Sequence, residues 1–530
     1  MKLFKNTLIA LVTLVLLTGI AIFLLTKNIT PSAIKNIINK ELTSITTQNT
    51  HIDGEIVWQL FPRPGIKVTQ IHVGEEDNKS KYNLYIDNIL FNVQITPLLR
   101  GHLVFNELKV DGLKITIHPE AQTSVTTSMA TVSQETNAHR QSEPMSAQFA
   151  INSFLLTRGQ LIIIQPHGKI SLTNLQIGAK ELNLKNEFFP LQIRTSVAAS
   201  IADNNIKTTL NYKGRIRLAP STLAKPLMAL QHVAIDGQLS AQNSHINQFK
   251  IAKISSNAIS KSGAIVLNPL NFSLYAGQSV GDLKYHIATN KLSINQTATS
   301  LDAAQLFNDL SAKNVVKGNL DVSVHATTNL ADNHWQNNLQ GNGSLTMKDG
   351  TLNFIDLNKL IDEMINKIHE LPSQVKKDIN QVPELVLFAA NATQEGSTKF
   401  QLLSTQYRLM NGKLINDSIL LQTDKLQLKG NSQLDMVTNT LDGTLFAKII
   451  TKDNTIDSIQ QLLGGSFPLK LSGTFARPMI LPNVNEINPI IAKYILQKSF
   501  EKPIKQLKQQ IESMIATPEN LLQQHPDNVE

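Results

Sequence analysis

Residues that could do chemistry are few in this chain, and their spacing does not suit it. Lys169 in His167-Gly168-Lys169-Ile170 and Lys413 in Gly412-Lys413-Leu414 each follow a glycine. Neither has the leading glycine spacing or the hydroxyl of a phosphate-cradling loop. Gly341-Asn342-Gly343 begins like a dinucleotide-binding turn, but Thr346 stands where the third glycine belongs and a strand follows. Ser466 in Gly464-Gly465-Ser466-Phe467-Pro468 is not on a nucleophile elbow, because Pro468 occupies the place of the closing glycine. The 13 histidines are scattered, and the pair nearest in sequence, His325 and His334, lacks metal-ligand spacing. Glu75-Glu76-Asp77 runs into Asn78, Lys79 and Ser80, the composition of a solvated turn rather than of paired catalytic carboxylates. The absence of cysteine excludes thiol nucleophiles, zinc ribbons, Cys-ligated iron–sulfur clusters and a disulfide scaffold. The expectation is a protein that is not an enzyme and uses no metal or cofactor.

Composition narrows the class further. By length alone, 530 residues suggest about three or four domains. A hydrophobic content of 42% excludes a disordered polyampholyte, and only 17% of residues are charged, against a usual value of about 25%. The net charge of +8 is spread thinly, with no arginine-rich block or interleaved aromatics. It reads as solubility and generic attraction to anionic membranes, with no nucleic-acid partner.

The elements that would position any site come next. Residues 7–26, TLIALVTLVLLTGIAIFLLT, carry no charge. As a helix they span about 30 Å, the thickness of a bilayer's hydrocarbon core. A cleaved signal peptide has a shorter apolar region ending in a small-x-small site; here the run continues through Ile22-Phe23-Leu24-Leu25 beyond Gly19-Ile20-Ala21. An uncleaved single-pass anchor is therefore expected, with residues 1–6 (Lys2, Lys5) as a cytoplasmic tail and the body on the far side. Residues 31–45 read as a short helix, with Ile34, Ile37, Ile38, Leu42 and Ile45 on one face. The period then falls to two, as in Ile66/Val68 and Leu113/Ile115/Ile117, and this predicts half-buried strands. Residues 119–148 hold no Leu, Ile or aromatic side chain and are rich in Ser and Thr, which predicts a loop or linker. Alternation returns over 149–340, broken by turn residues such as Lys213-Gly214 and Ala276-Gly277 and by a short helix at 301–310. A clear amphipathic helix is expected at 352–375, disturbed at Pro372, with strands again from Thr398 and a helical tail at 490–522. The tail's Ile504, Leu507, Ile511, Met514 and Ile515 share one side.

Short amphipathic strands in a long run can close into a barrel, stack as a sandwich, or form an open curved trough. A trough with an apolar concave face offers a groove for acyl chains. The candidate lining is Leu113, Ile115, Leu182, Leu184, Val322, Val324, Leu426 and Leu428. Alternation alone favours the plainer reading, in which these same residues fill a dry core.

Several segments resemble the AsmA family of bacterial envelope proteins. Near the amino end they are Gly54-Glu55-Ile56-Val57-Trp58 with Phe61-Pro62, Gly65-Ile66-Lys67-Val68, Ile71-His72-Val73-Gly74, Ile95-Thr96-Pro97-Leu98-Leu99-Arg100-Gly101 and Leu108-Lys109-Val110-Asp111-Gly112. Toward the other end they are residues 341–360, Leu409-Met410-Asn411-Gly412-Lys413-Leu414, Leu426-Gln427-Leu428-Lys429-Gly430, and Phe467-Pro468-Leu469-Lys470-Leu471-Ser472-Gly473-Thr474-Phe475 with Arg477-Pro478. Asn483 stands where the family commonly has an acidic residue. The resemblance implies a mainly β protein: a transmembrane helix, then an elongated antiparallel, curved β-sheet groove with a few amphipathic helices. On this reading the chain divides into the tail (1–6), the anchor (7–26), an amino-terminal AsmA-like region (31–118), the loop (119–148), a central β body (149–340), a carboxy-terminal AsmA-like region (341–483) and terminal helices (484–530). It further implies an inner-membrane protein with a periplasmic body, linked to outer-membrane biogenesis and phospholipid transport, with phospholipid and other envelope proteins as partners. A scaffold or chaperone for outer-membrane protein assembly, pairing clients with exposed strand edges, is the other reading.

Overall fold

The computed structural model describes residues 35, 50–59, 65–74, 82–93, 105–118, 150–165, 168–183, 185–201, 204–218, 233–261, 263–310, 314–331, 335–377 and 396–515. The expected anchor at 7–26, the helix at 31–45 apart from Lys35, the 119–148 segment and the end of the tail lie outside them. No helix among the described residues is long and apolar enough to cross a membrane.

The period-two segments fold as strands, and the described residues form two units, 1–301 with 325–335, and 302–324 with 336–530. The first unit holds β1 (Thr50–Ile52), β2 (Ile56–Gln59), β3 (Gly65–Val73), β4 (Tyr82–Val93), β5 (Phe105–Ile117), β6 (Ala150–Gln165), β7 (Gly168–Asn183), β8 (Phe188–Ile201), β9 (Asn204–Arg217), β10 (Ala234–Ile246), β11 (Phe249–Lys261), β12 (Ala264–Leu274), β13 (Gly277–His286) and nearly all of β14 (Lys291–Asp302). β1 and β2 both pair with β3, and from β3 to β14 each strand pairs with the next. All these pairings are antiparallel except β5–β6, which is parallel, Glu107 opposite Ser153 and Ile117 opposite Ile163. The expected antiparallel arrangement holds for the other pairings, and this parallel pair is the exception among them. Parallel neighbours need a crossover of about a dozen residues or more, and the Ser/Thr-rich stretch between β5 and β6 supplies that length.

A second departure from simple alternation lies in β3 to β6. In β3 the buried positions are Ile66 and Val68, then Ile71 and Val73; in β5 they are Leu108 and Val110, then Leu113, Ile115 and Ile117. The parity changes in step because a residue in each of β3, β5 and β6 takes a positive φ at the same level: Gln70 (φ 50°), Gly112 (φ 70°) and Arg158 (φ 52°). Gly112 is required there, since a Cβ would run into the Asp87 side chain. The Arg158 guanidinium ties the break together, donating to Asp111 (Nε to Oδ1, 2.8 Å) and Asp87 (3.2 Å). The apolar side chains therefore stay on one face through the break and close into a dry core, with Ile86, Ile89, Val110 and Ile117 all at 0% exposure.

The second unit contains the start of β15 (Val316–Asn329), β16 (Gln340–Leu352), β17 (Thr398–Met410), β18 (Lys413–Gln422), β19 (Leu426–Asp435), β20 (Thr440–Ile449), β21 (Phe467–Thr474) and β22 (Arg477–Pro482). From β16 to β22 each strand pairs antiparallel with the next. Its helices are α1 (Ala303–Asp309), α2 (Leu357–Lys377), α3 (Asn454–Leu462) and α4 (Val484–Ile515). Asp302 and Asp453 cap α1 and α3 by accepting from first-turn backbone N–H groups. α2 starts later than the spacing suggests, because Leu352 closes β16, and it runs past Pro372 to Lys377. A proline inside a helix removes one main-chain bond, and here the helix continues beyond it. The stripe Leu357, Ile361, Met364 and Ile368 is buried, and α2 packs on α4, which also touches α3 and β21. Ile487, Ile491 and Ile495 of α4 are buried, whereas Ile504, Leu507 and Ile511 farther along it are exposed.

Candidate functional site

The apolar face of β15 to β20 is not filled as the first unit's core is. It lines a half-open cavity of about 410 Å³ within the second unit, inside the range of about 300–1,000 Å³ usual for small-molecule sites. Leu320 and Val322 of β15, Leu345 of β16, Leu403 of β17, Leu428 and Leu434 of β19, and Leu441 and Leu445 of β20 form its wall. Leu306 and Phe307 of α1, Leu310 just after it, and Phe475 in the β21–β22 turn complete it, with the Phe307 and Phe475 rings stacked at 5.4 Å.

Alternation places most of the wall directly, and β18 needs one additional device. Leu414 and Asn416 face the cavity, and so do Ile419 and Leu421, of opposite parity. An extra residue at Asp417 makes this possible: Tyr407 pairs with Asn416 but Gln406 pairs with Ser418. The Asp417 carboxylate accepts two bonds from the Arg408 guanidinium, at 2.6 and 2.8 Å. That pairing holds the Asp417 carboxyl below the usual carboxylate range.

Polar wall members satisfy one another. Thr405 Oγ1 donates to Asn416 Oδ1 (3.2 Å), and Asn416 Nδ2 donates to Ser432 Oγ (2.8 Å). The Tyr407 hydroxyl donates to the Ser323 carbonyl at 2.8 Å, and burial pushes its pKa up. With these bonds made within the wall, what remains to face a guest is aliphatic and aromatic surface. Such a surface binds by excluding water from apolar groups.

The eight residues expected to line a groove fall in different places. Val322 and Leu428 line this cavity. Leu426, two residues from Leu428 on the same face of β19, is buried at 1% exposure outside the lining. Val324 is half-buried on β15. Leu113 and Ile115 lie in the first unit's dry core, with Leu182 packed at its margin. Leu184 lies outside the described residues. The wall residues of α1, β16, β17 and β18 were missing from the expected lining, although Leu345, Leu403 and Leu414 follow the same alternation. Nothing in the sequence marks Asp417 as an extra residue.

The model of the AsmA family matches residues 1–256 and 228–419. Together the matches run from residue 1 to residue 419 and stop within β18, so the segments 426–430 and 467–478 that contribute to the resemblance lie beyond them. No curated protein and no solved structure gives a significant match.

Proposed function

The chain belongs to the AsmA family, and from that premise we propose that it carries phospholipid acyl chains in the apolar cavity of its second unit. It does so as an inner-membrane-anchored, periplasmic protein of outer-membrane biogenesis, without catalysing a reaction. The observation that carries this reading is a β-face whose leucines line a half-open cavity of about 410 Å³ while its polar side chains are bonded to one another or to backbone. A wall of that kind holds an alkyl chain without leaving a buried polar group unpaired. Any direction of transport comes from a partner or a gradient, because the chain has no nucleotide-binding loop.

Strand-edge pairing with client proteins is less well supported. β22, which pairs only with β21 among the described residues, is six residues long and contains Pro478 and Pro482. Short strands and prolines protect an edge against strand addition. The test is native mass spectrometry of the full-length chain purified from membranes. Bound phospholipid supports the proposal; a chain that arrives lipid-free, or carrying polypeptide in place of lipid, overturns it.

A further inference from the structure

His51 and Asp53 are two residues apart at the end of β1, and the period of a strand puts such residues on one face. His72 on β3 is the direct cross-strand partner of His51. The two imidazoles stack at 5.4 Å with ring planes 2° apart, and both present Nε2 to Asp53 Oδ2, at 3.9 Å from His51 and 3.4 Å from His72. One ligand atom from each of the three side chains lies within 4.8 Å of the others. We propose that His51, Asp53 and His72 form a binding site for a divalent transition-metal ion of the zinc type.

Two imidazole nitrogens and a carboxylate oxygen are the donors that such ions prefer, and a water completes a tetrahedral set. Closing the remaining gaps takes only side-chain rotation, which the exposure of His51 (52%) and Asp53 (55%) allows around a His72 that is 33% exposed and held by its ring neighbours. The Tyr85 ring packs against His72 at 4.5 Å, backing one ligand from the side away from His51. The depression beside the cluster is lined by Asp53, Glu55 and Asp87 against Lys67, and Lys114 stands over the Tyr85 ring. The carboxylates nearest the ligands favour a cation. β1 is only three residues long and pairs with β3 alone among the described residues. A metal ion shared by His51 and His72 therefore fastens that short strand to the sheet, and binding to the folded form raises its stability.

The test uses the full-length chain in detergent, free of any purification tag, titrated with Zn²⁺ by calorimetry. A parallel Co²⁺ titration is followed in the visible range. The wild type is expected to bind one more Zn²⁺ than a His51→Ala/His72→Ala double variant and to show a tetrahedral Co²⁺ spectrum that the variant lacks. Asp53→Asn should weaken that site by roughly tenfold or more, and Zn²⁺ should raise the melting temperature of the wild type alone. Circular dichroism confirms that the variants fold. Equal Zn²⁺ stoichiometry and affinity in the wild type and a folded double variant, including no binding by either, overturns the proposal.

Discussion

Strands β3 to β5 and strands β15 to β20 have the same alternation of apolar and polar residues, yet one apolar face is closed and the other borders a half-open cavity. In the first, Ile86 and Ile89 of β4 and Val110 of β5 are fully buried among their neighbours. In the second, Val322, Leu345, Leu403, Leu414, Leu434 and Leu441 are only half-buried around the cavity. Side-chain size does not separate them, since both faces are aliphatic. The closed face has a break that keeps Ile, Val and Leu on one side through four strands, stapled by Arg158. The open face has α1 and the Phe475 turn at its margin, and the unit's dry packing is concentrated under α2, α3 and α4, at residues such as Ile361, Ile456 and Ile487. The same strand pattern thus serves as a core or as a container, according to what packs against it.

Substitutions sharpen this contrast. Ile89→Ala removes a side chain from a filled core and should cost about 2–5 kcal/mol. The loss would be read as a lower urea midpoint and reduced amide-exchange protection in peptides of β3 to β5, with phospholipid still bound. Val322→Phe fills part of the cavity, and the amount of co-purified phospholipid should fall severalfold while the urea midpoint holds. Leu434→Ala shortens a half-buried wall residue and should cost about 1 kcal/mol or less, well below the cost at Ile89. Equal costs at the two positions would abolish the distinction between core and container.

The smallest effect concerns the break in the first unit. The Arg158 guanidinium holds the Asp111 carboxyl below its ordinary range; partial burial opposes this, and Thr157 adds a further donor. A carboxyl lowered in the folded state contributes stability above its unfolded value of about 3.9, and that contribution is lost as pH falls through the lower folded value. Asp111→Asn should therefore be slightly less stable than wild type at neutral pH. The gap should narrow as pH drops below about 4, measured by urea unfolding across an acid series.

Much of the architecture is legible in the sequence. The spacing Leu113/Ile115/Ile117 marks β5, the turn residues mark hairpins, and the stripe Leu360/Ile361/Met364/Ile368 marks α2. Irregularities inside strands are less legible. Gln70, Gly112 and Arg158 change parity together, and only the neighbouring strands show that they lie at one level. The parallel β5–β6 pair depends on how the chain returns after residue 118, which composition does not specify. The candidate site is legible as a pattern but not as a place. Leu426 and Leu428 share a face of β19, yet Leu428 lines the cavity and Leu426 does not, because what lies above each belongs to distant parts of the chain. His51 and His72 are likewise 21 positions apart by number and become neighbours only through β1–β3 pairing.

The most direct measurement is paired photo-crosslinking in cells, with a photoreactive side chain placed at Leu434 in one full-length chain and at Ile89 in another. Phospholipid adducts at Leu434 and none at Ile89 are the expected result. Adducts at neither position, at both alike, or polypeptide adducts in place of lipid at Leu434 would contradict a lipid-holding second unit.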